Sequence, residues 1–253
     1  MQRIASVARI SFASSTAFAT LGTALTTLVI TPLFSVLYDI VFGQDLRAPD
    51  YTRIGYAAAL VALCLSVEAG ITSKAVTDRN LGVFEEIHMR RSVDTAYWVG
   101  SSIIPLLLST LTAAVTIAGV FAFSAGHDPH MVIKVIMLCP ATMLMGMLLG
   151  VCCAGVGVSL PDPYLADTIL DAILPLSAGV IVPTTLYPDW LRALFHLLPM
   201  TGTLTVLTDN STGNIGRPLC TDILLAVVWA CVGLVFVRVA VSNLRNGKRR
   251  DVI

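Results

Sequence analysis

Six stretches of this chain are apolar for long enough to cross a bilayer, and nothing else in it constrains the fold as strongly. They run roughly over 18–42, 54–73, 97–125, 132–159, 165–183 and 219–241. A spanning helix needs about 20 mostly apolar residues. The third stretch has no charged residue from Thr95 to Gly126, whereas the fifth carries Asp167 and Asp171 and the sixth carries Arg238. Only helices and closed barrels satisfy their own backbone in lipid, and barrel strands alternate where these runs are continuous. The expected fold is an all-α membrane protein of six transmembrane helices, forming one domain over 1–253. Charged residues make up 13% of the chain, about half the soluble-protein level of about 25%. Lys and Arg balance Asp and Glu at 16 each, which excludes the cationic excess that nucleic-acid binding requires.

Ala17-Phe18-Ala19 has the small-x-small form of a signal cleavage site. Arg9 breaks the apolar stretch ahead of it, however, so a retained first helix is expected. Orientation follows from the cations. With both termini inside, ten Lys and Arg residues are cytoplasmic and five external, and the tail Asn243–Arg250 is hard to translocate. Arg3 and Arg9, with Ile4, Val7 and Ile10, could form a short helix on the inner surface.

Between the second and third spans lies DRNLGVFEEIHMRR, Asp78 to Arg91, with six charged residues in fourteen. Val83, Phe84 and Ile87 form a small apolar face at helical spacing. Glu86 and Arg90 sit four apart with the acid first, which adds a few tenths of a kcal/mol to an exposed helix. Asp94 is placed to cap the third span. The expectation is a short amphipathic cytoplasmic helix fixed at both ends to membrane helices, against the plainer reading of a solvated loop.

Several chemistries find no residues here. The sequence has no G-x-x-x-x-G-K-[ST] loop, no Gly-x-Ser-x-Gly elbow and no His-Glu-x-x-His helix. Cys139 and the vicinal Cys152-Cys153 lie about 20 Å apart along one helix, too far to share an ion, and the six cysteines read as small packing residues. His127 and His130 read as a solvated turn around Pro129. A gradient-driven carrier would place ionisable groups near the midplane. The candidates Glu68, Asp171 and Arg238 instead fall in the cytoplasmic third, either as snorkelling or mutually paired groups or as a charged inner vestibule that recognises substrate.

Two motifs carry a family resemblance. Arg79-Asn80-Leu81-Gly82-Val83-Phe84-Glu85-Glu86-Ile87 resembles the "E-R-x-x-G-T-L-E-x-L" segment between the second and third spans of ABC-2 type transporter permeases. Leu176-Ser177-Ala178-Gly179-Val180-Ile181-Val182-Pro183, then Tyr187-Pro188-Asp189-Trp190-Leu191 and Leu198-Pro199-Met200, is similar to the family's "L-S-G-x-x-F-P … L-P-x-W-L … P" pattern. Gly155–Ser159 also fits. Val83-Phe84 replaces Thr-Leu, and Ala178 precedes the glycine.

The resemblance implies a coupling helix seated on a separate cytoplasmic ATP-binding-cassette ATPase, with Gly82, Phe84, Glu85, Glu86, Ile87 and Arg90 at the contact and Phe84 and Ile87 as apolar anchors. It implies that this chain binds no cofactor, ATP and Mg residing on the partner. It also implies a second permease copy or paralogue, a lipid surround, and a place in the plasma or inner cell membrane. Pro188 can open a short external helix and Pro199 stop it. Leu191, Leu194, Phe195 and Leu198 make one stripe, so an interfacial or re-entrant helix is expected, with Gly179, Pro183, Pro188, Trp190 and Pro199 as external gate candidates; the alternative is a surface linker. Gly146-x-x-x-Gly150-x-x-x-Ala154 offers a ridge for close helix packing, within the chain or between chains.

The expected function is export of an amphiphilic small molecule such as a drug, antibiotic or lipid, since the spans are rich in Leu, Val, Ala, Ser and Thr and only 7% of residues are aromatic. The alternatives are a gradient-driven carrier, an exporter of polysaccharide or lipid-linked glycan, and a non-transporting scaffold or intramembrane enzyme.

Overall fold

The computed structural model describes residues 20–45, 51–90, 94–124, 127–180, 186–208 and 216–246, the side chains of Asp39, Gln44, Arg90 and Thr208 falling outside that description. Thr20 opens the first helix with a reciprocal cap, its Oγ1 accepting from the Thr23 amide at 3.1 Å. Helix α1 then runs through Leu21–Leu25, a π-helical turn Thr26–Ile30 and Thr31–Asp45. It is followed by α2 (Tyr51–Asn80), the short α3 (Val83–Arg90), α4 (Thr95–Phe123) and α5 (Pro129–Ser159). Then come α6 (Leu165–Ser177), α7 (Asp189–Phe195), α8 (Thr201–Thr208) and α9 (Gly216–Arg245).

Local chemistry sets these boundaries. Asp94 caps α4 through the Ala96 amide at 3.1 Å. Asp128 caps α5 through the His130 amide at 2.9 Å, with Pro129 in the first turn, where its missing N–H costs nothing.

Among the described residues five helices are long and apolar enough to span: α1, α2, α4, α5 and α9. The fifth expected span is broken instead. Helix α6 has 13 residues, about 20 Å at 1.5 Å each, against a hydrocarbon core of about 30 Å. It ends at Ala178-Gly179, where Gly179 takes a left-handed φ of 72°. The chain then proceeds through two short helices, α7 and α8, rather than one long one. Apolar composition over 165–183 carried no information about this stop. Pro183, the inner-surface helix around Arg3 and Arg9, and the tail beyond Asn246 lie outside the described residues.

Helix α2 is the axis of the molecule, buried over most of its apolar length where α4 and α9 leave most of theirs exposed. Small residues permit its contact with α5. A side chain on Gly146 would run into the Cys64 carbonyl oxygen, and one on Gly150 would come within 2.9 Å of Ile71 Cβ and 3.2 Å of Glu68 Cα. The ridge read in the sequence thus packs within the chain. One face further round, Gly155 of α5 meets the Gly233 carbonyl of α9, and Ser159 Oγ donates to the Phe236 carbonyl at 3.2 Å. Pro105 of α4 closes on Gly70 of α2, where an added Cβ would lie 2.7 Å from its ring.

Candidate functional site

The charged stretch forms a corner clamped from four sides. Helix α2 ends as the Leu81 amide donates to the Thr77 carbonyl at 3.1 Å and the Gly82 amide to the Arg79 carbonyl at 3.0 Å. Gly82 has φ 72°, and a Cβ there would meet nothing within 4 Å. Glycine is therefore required by backbone conformation alone. Arg79 turns inward, its Nη1 donating to the carbonyls of Gly157 at 2.7 Å and Leu160 at 3.0 Å. It thereby adds a charged donor to the carbonyls at the end of α5. Lys74 Nζ donates to Asp78 Oδ1 at 2.7 Å, and Tyr97 OH of α4 donates to Asp78 Oδ2 at 2.9 Å.

Helix α3 lies on this base. Phe84 is 1% exposed and His88 is fully buried, their rings stacked with centroids 4.0 Å apart. Tyr97 and Trp98 meet Phe84 edge-on at 5.9 and 6.4 Å, an arrangement worth about 0.5–1.5 kcal/mol per pair beyond burial. The far end is fixed by Arg245 of α9, whose Nη2 donates to the Met89 carbonyl at 2.8 Å. His88 Nδ1 sits 2.9 Å from the Phe84 carbonyl; a carbonyl only accepts, so the ring proton is on Nδ1 and Nε2 is the bare nitrogen. Burial lowers the His88 pKa from the ordinary histidine range, opposed by the Phe84 carbonyl bond and the field of Asp94. The imidazole is thus neutral at pH 7 and packs as an aromatic.

This geometry corrects one expectation. Phe84 is not on the outward face but anchors α3 to its own membrane helices. The outward face carries Leu81, Gly82, Val83, Glu85, Glu86 and Met89, all exposed, with Ile87 half-buried at its edge. Arg90 closes the helix. The buried stripe is Phe84 and His88, four apart, and the sequence reading missed His88 because histidine counts as polar until two aromatic rings are there to receive it.

The inner-vestibule candidates are not brought together. Glu68 is fully buried on α2, whereas Asp171 is exposed on α6 and Arg238 exposed on α9. Asp167 is at Glu68 instead, in hydrogen-bond reach, with Cys153 of α5 beside them. Thr72 Oγ1 donates to Glu68 Oε1 at 2.9 Å. Chain spacing gave no reason to pair Asp167 with a helix nearly 100 residues earlier.

At the opposite end of the bundle, the broken segment is held by α9. Pro188 is the residue before α7, its carbonyl accepting from the Leu191 and Arg192 amides at 3.0 and 2.9 Å. Trp190 is 71% exposed, while Gly179 and Pro199 are buried. Met200 has φ 84°, a conformation that bulky residues rarely adopt, and is fully buried. Asp222 of α9 fixes the start of α8. Its carboxylate accepts from the amides of Gly202 at 3.2 Å and Thr203 at 2.6 Å and from Thr203 Oγ1 at 2.8 Å, an anion placed where the first turn of α8 favours one. Trp229 Nε1 donates to the Leu197 carbonyl at 2.9 Å. Asp222 lies six residues past the start of α9, and sequence spacing gave no reason to pair it with the amides of α8. Among the described residues no cluster of His, Cys, Asp and Glu is placed to hold a metal ion.

Five long apolar helices among the described residues, joined by a clamped polar helix and a broken segment, mark a multi-pass membrane protein. The family model for the ABC-2 type transporter matches residues 5–211, and the chain belongs to that family. No curated protein and no solved structure matches it. Membership makes it the permease of an ABC transporter, a class without an ATPase site of its own and working with an ABC ATPase.

Proposed function

We propose that this permease exports an amphiphilic small molecule, driven by a cytoplasmic ATPase that docks on the outward face of α3. The observation that carries this reading is the division of α3 into two faces. Phe84 and His88 lock one face to α4, while Val83, Glu85, Glu86 and Met89 leave the other exposed. A displacement of that face reaches α2 through Gly82, α4 through Tyr97 and Trp98, α5 through Arg79 and α9 through Arg245. ATP and Mg belong to the partner. The termini face the cytoplasm of a plasma or inner cell membrane, a second copy or paralogue completes the pathway, and lipid surrounds the exposed apolar faces of α1, α4 and α9.

Helices α6 to α8 supply the remaining crossing as a discontinuous, re-entrant one, gated externally by Gly179, Pro183, Pro188, Trp190 and Pro199. Packing of α9 along α5 supports a single domain that extends past the family match. The apolar make-up of the spans, with 7% aromatic residues overall, supports an amphiphile over a glycan.

The test is co-purification. Glu85→Arg with Glu86→Arg abolishes recovery of the ATPase while the permease remains folded by size exclusion; undiminished recovery removes the docking assignment. A substrate panel added to the reconstituted complex in liposomes then identifies the class that stimulates ATP hydrolysis.

A further inference from the structure

Glu68 and Asp167 each leave one oxygen buried without a donor, Oε2 and Oδ1 respectively. Yet the two side chains are within hydrogen-bond reach of each other. Ionised carboxylates only accept hydrogen bonds, and two like charges this close do not both ionise. A cation would resolve the conflict, but among the described residues none on the neighbouring helices is placed to do so: Arg53 of α2 and Lys134 of α5 lie near the opposite ends of their helices. Lys74 is held by Asp78 at 2.7 Å, Arg79 by the carbonyls at the end of α5, and Arg238 is exposed on α9. Helix α4 has no charged side chain from Thr95 to Phe123, and α8 has none. The other titratable groups whose interactions reach this region are Cys64 of α2, Cys152 and Cys153 of α5, Asp171 of α6 and Asp222 of α9, all neutral or acidic.

We propose that Glu68 and Asp167 form a single-proton site, one hydrogen shared between the two carboxyl groups, and that this proton fastens the start of α6 to α2. Glu68 is the fixed side: it is fully buried, and the Gly150 backbone of α5 lies against its Cα. Helix α6 is the movable side, short, with Asp171, Ile169 and Leu176 exposed. Removal of the proton leaves two anions facing each other and releases α6. The site requires neither export nor any particular substrate.

The test uses the full chain in lipid nanodiscs. Infrared spectra at pH 7 show the C=O stretch of a protonated carboxylic acid that disappears in Glu68→Gln and is lost or moved in frequency in Asp167→Asn, because the hydrogen then no longer lies between two carboxyl groups. A spectrum unchanged by Glu68→Gln, or a band that keeps its frequency and intensity in Asp167→Asn, overturns the proposal. Amide exchange supplies the second readout, corrected for intrinsic rates. Raising the pH from 7 to 10 lowers protection of the first turns of α6 at least tenfold in the wild type and leaves it unchanged in Asp167→Asn. Equal responses in the two proteins overturn the latch. Asp167 is only partly buried, so this variant serves even if Glu68→Gln fails to fold. Either failure leaves the docking assignment of α3 intact.

Discussion

Replacement of Gly82 by alanine isolates the backbone geometry of the corner from everything packed around it. Gly82 has φ 72°, and an added Cβ would find no atom within 4 Å. No clash contributes, so the cost is that of a left-handed conformation in a residue with a side chain, about 1–2 kcal/mol. At 1.4 kcal/mol per factor of ten, the docked state of α3 loses about 5- to 30-fold against undocked alternatives. Asparagine, which visits this region more readily, loses less. Hydrogen exchange on the full chain in nanodiscs reads this directly. Amides of Val83–Arg90 lose protection by that factor in Gly82→Ala and by less in Gly82→Asn, while α2 before Thr77 is unaltered. Wild-type protection in the alanine variant, or a loss spread evenly over all helices, would refute the reasoning.

The other expectations concern the clamp and the helix contacts. Phe84→Ala removes a buried ring between His88, Tyr97 and Trp98, at about 3–5 kcal/mol, and lowers the thermal midpoint followed by tryptophan fluorescence; Glu85→Arg leaves that midpoint unchanged. Gly155→Leu drives a side chain into the Gly233 carbonyl and abolishes the monodisperse size-exclusion peak, whereas Gly216→Ala, which meets nothing within 4 Å, does not. His88 stays neutral when buried, so the unfolded chain takes up a proton that the folded chain refuses as pH falls below about 6.5. Stability therefore declines on the acid side of that value, and His88→Phe flattens this limb of a pH–stability curve; an unchanged limb would show that His88 is not its source.

Much of this architecture was legible as hydrophobic runs and their punctuation. The helix at Val83–Arg90 follows from the spacing of Val83, Phe84 and Ile87, the cap at Asp94 from its position before an uncharged run, and the close approach around Gly146 and Gly150 from the spacing of small residues. What was illegible depends on distant partners. The inward face of α3 turns on Tyr97 and Trp98, which a local pattern cannot weigh against His88. The break after Ser177 turns on the left-handed Gly179, invisible to an apolar count. Asp167 and Asp222 acquire meaning only once Glu68 and the α8 amides are beside them.

Photo-cross-linking in intact cells tests most directly the claim that force enters through the outward face of α3. A benzophenone side chain introduced at Val83 or Glu85 is expected to cross-link the cytoplasmic ATPase, and one at His88 is expected to cross-link only within the permease. An ATPase adduct from position 88 and none from 83 or 85, or reaction of positions 83 and 85 with a membrane-impermeant reagent added outside, would contradict the account.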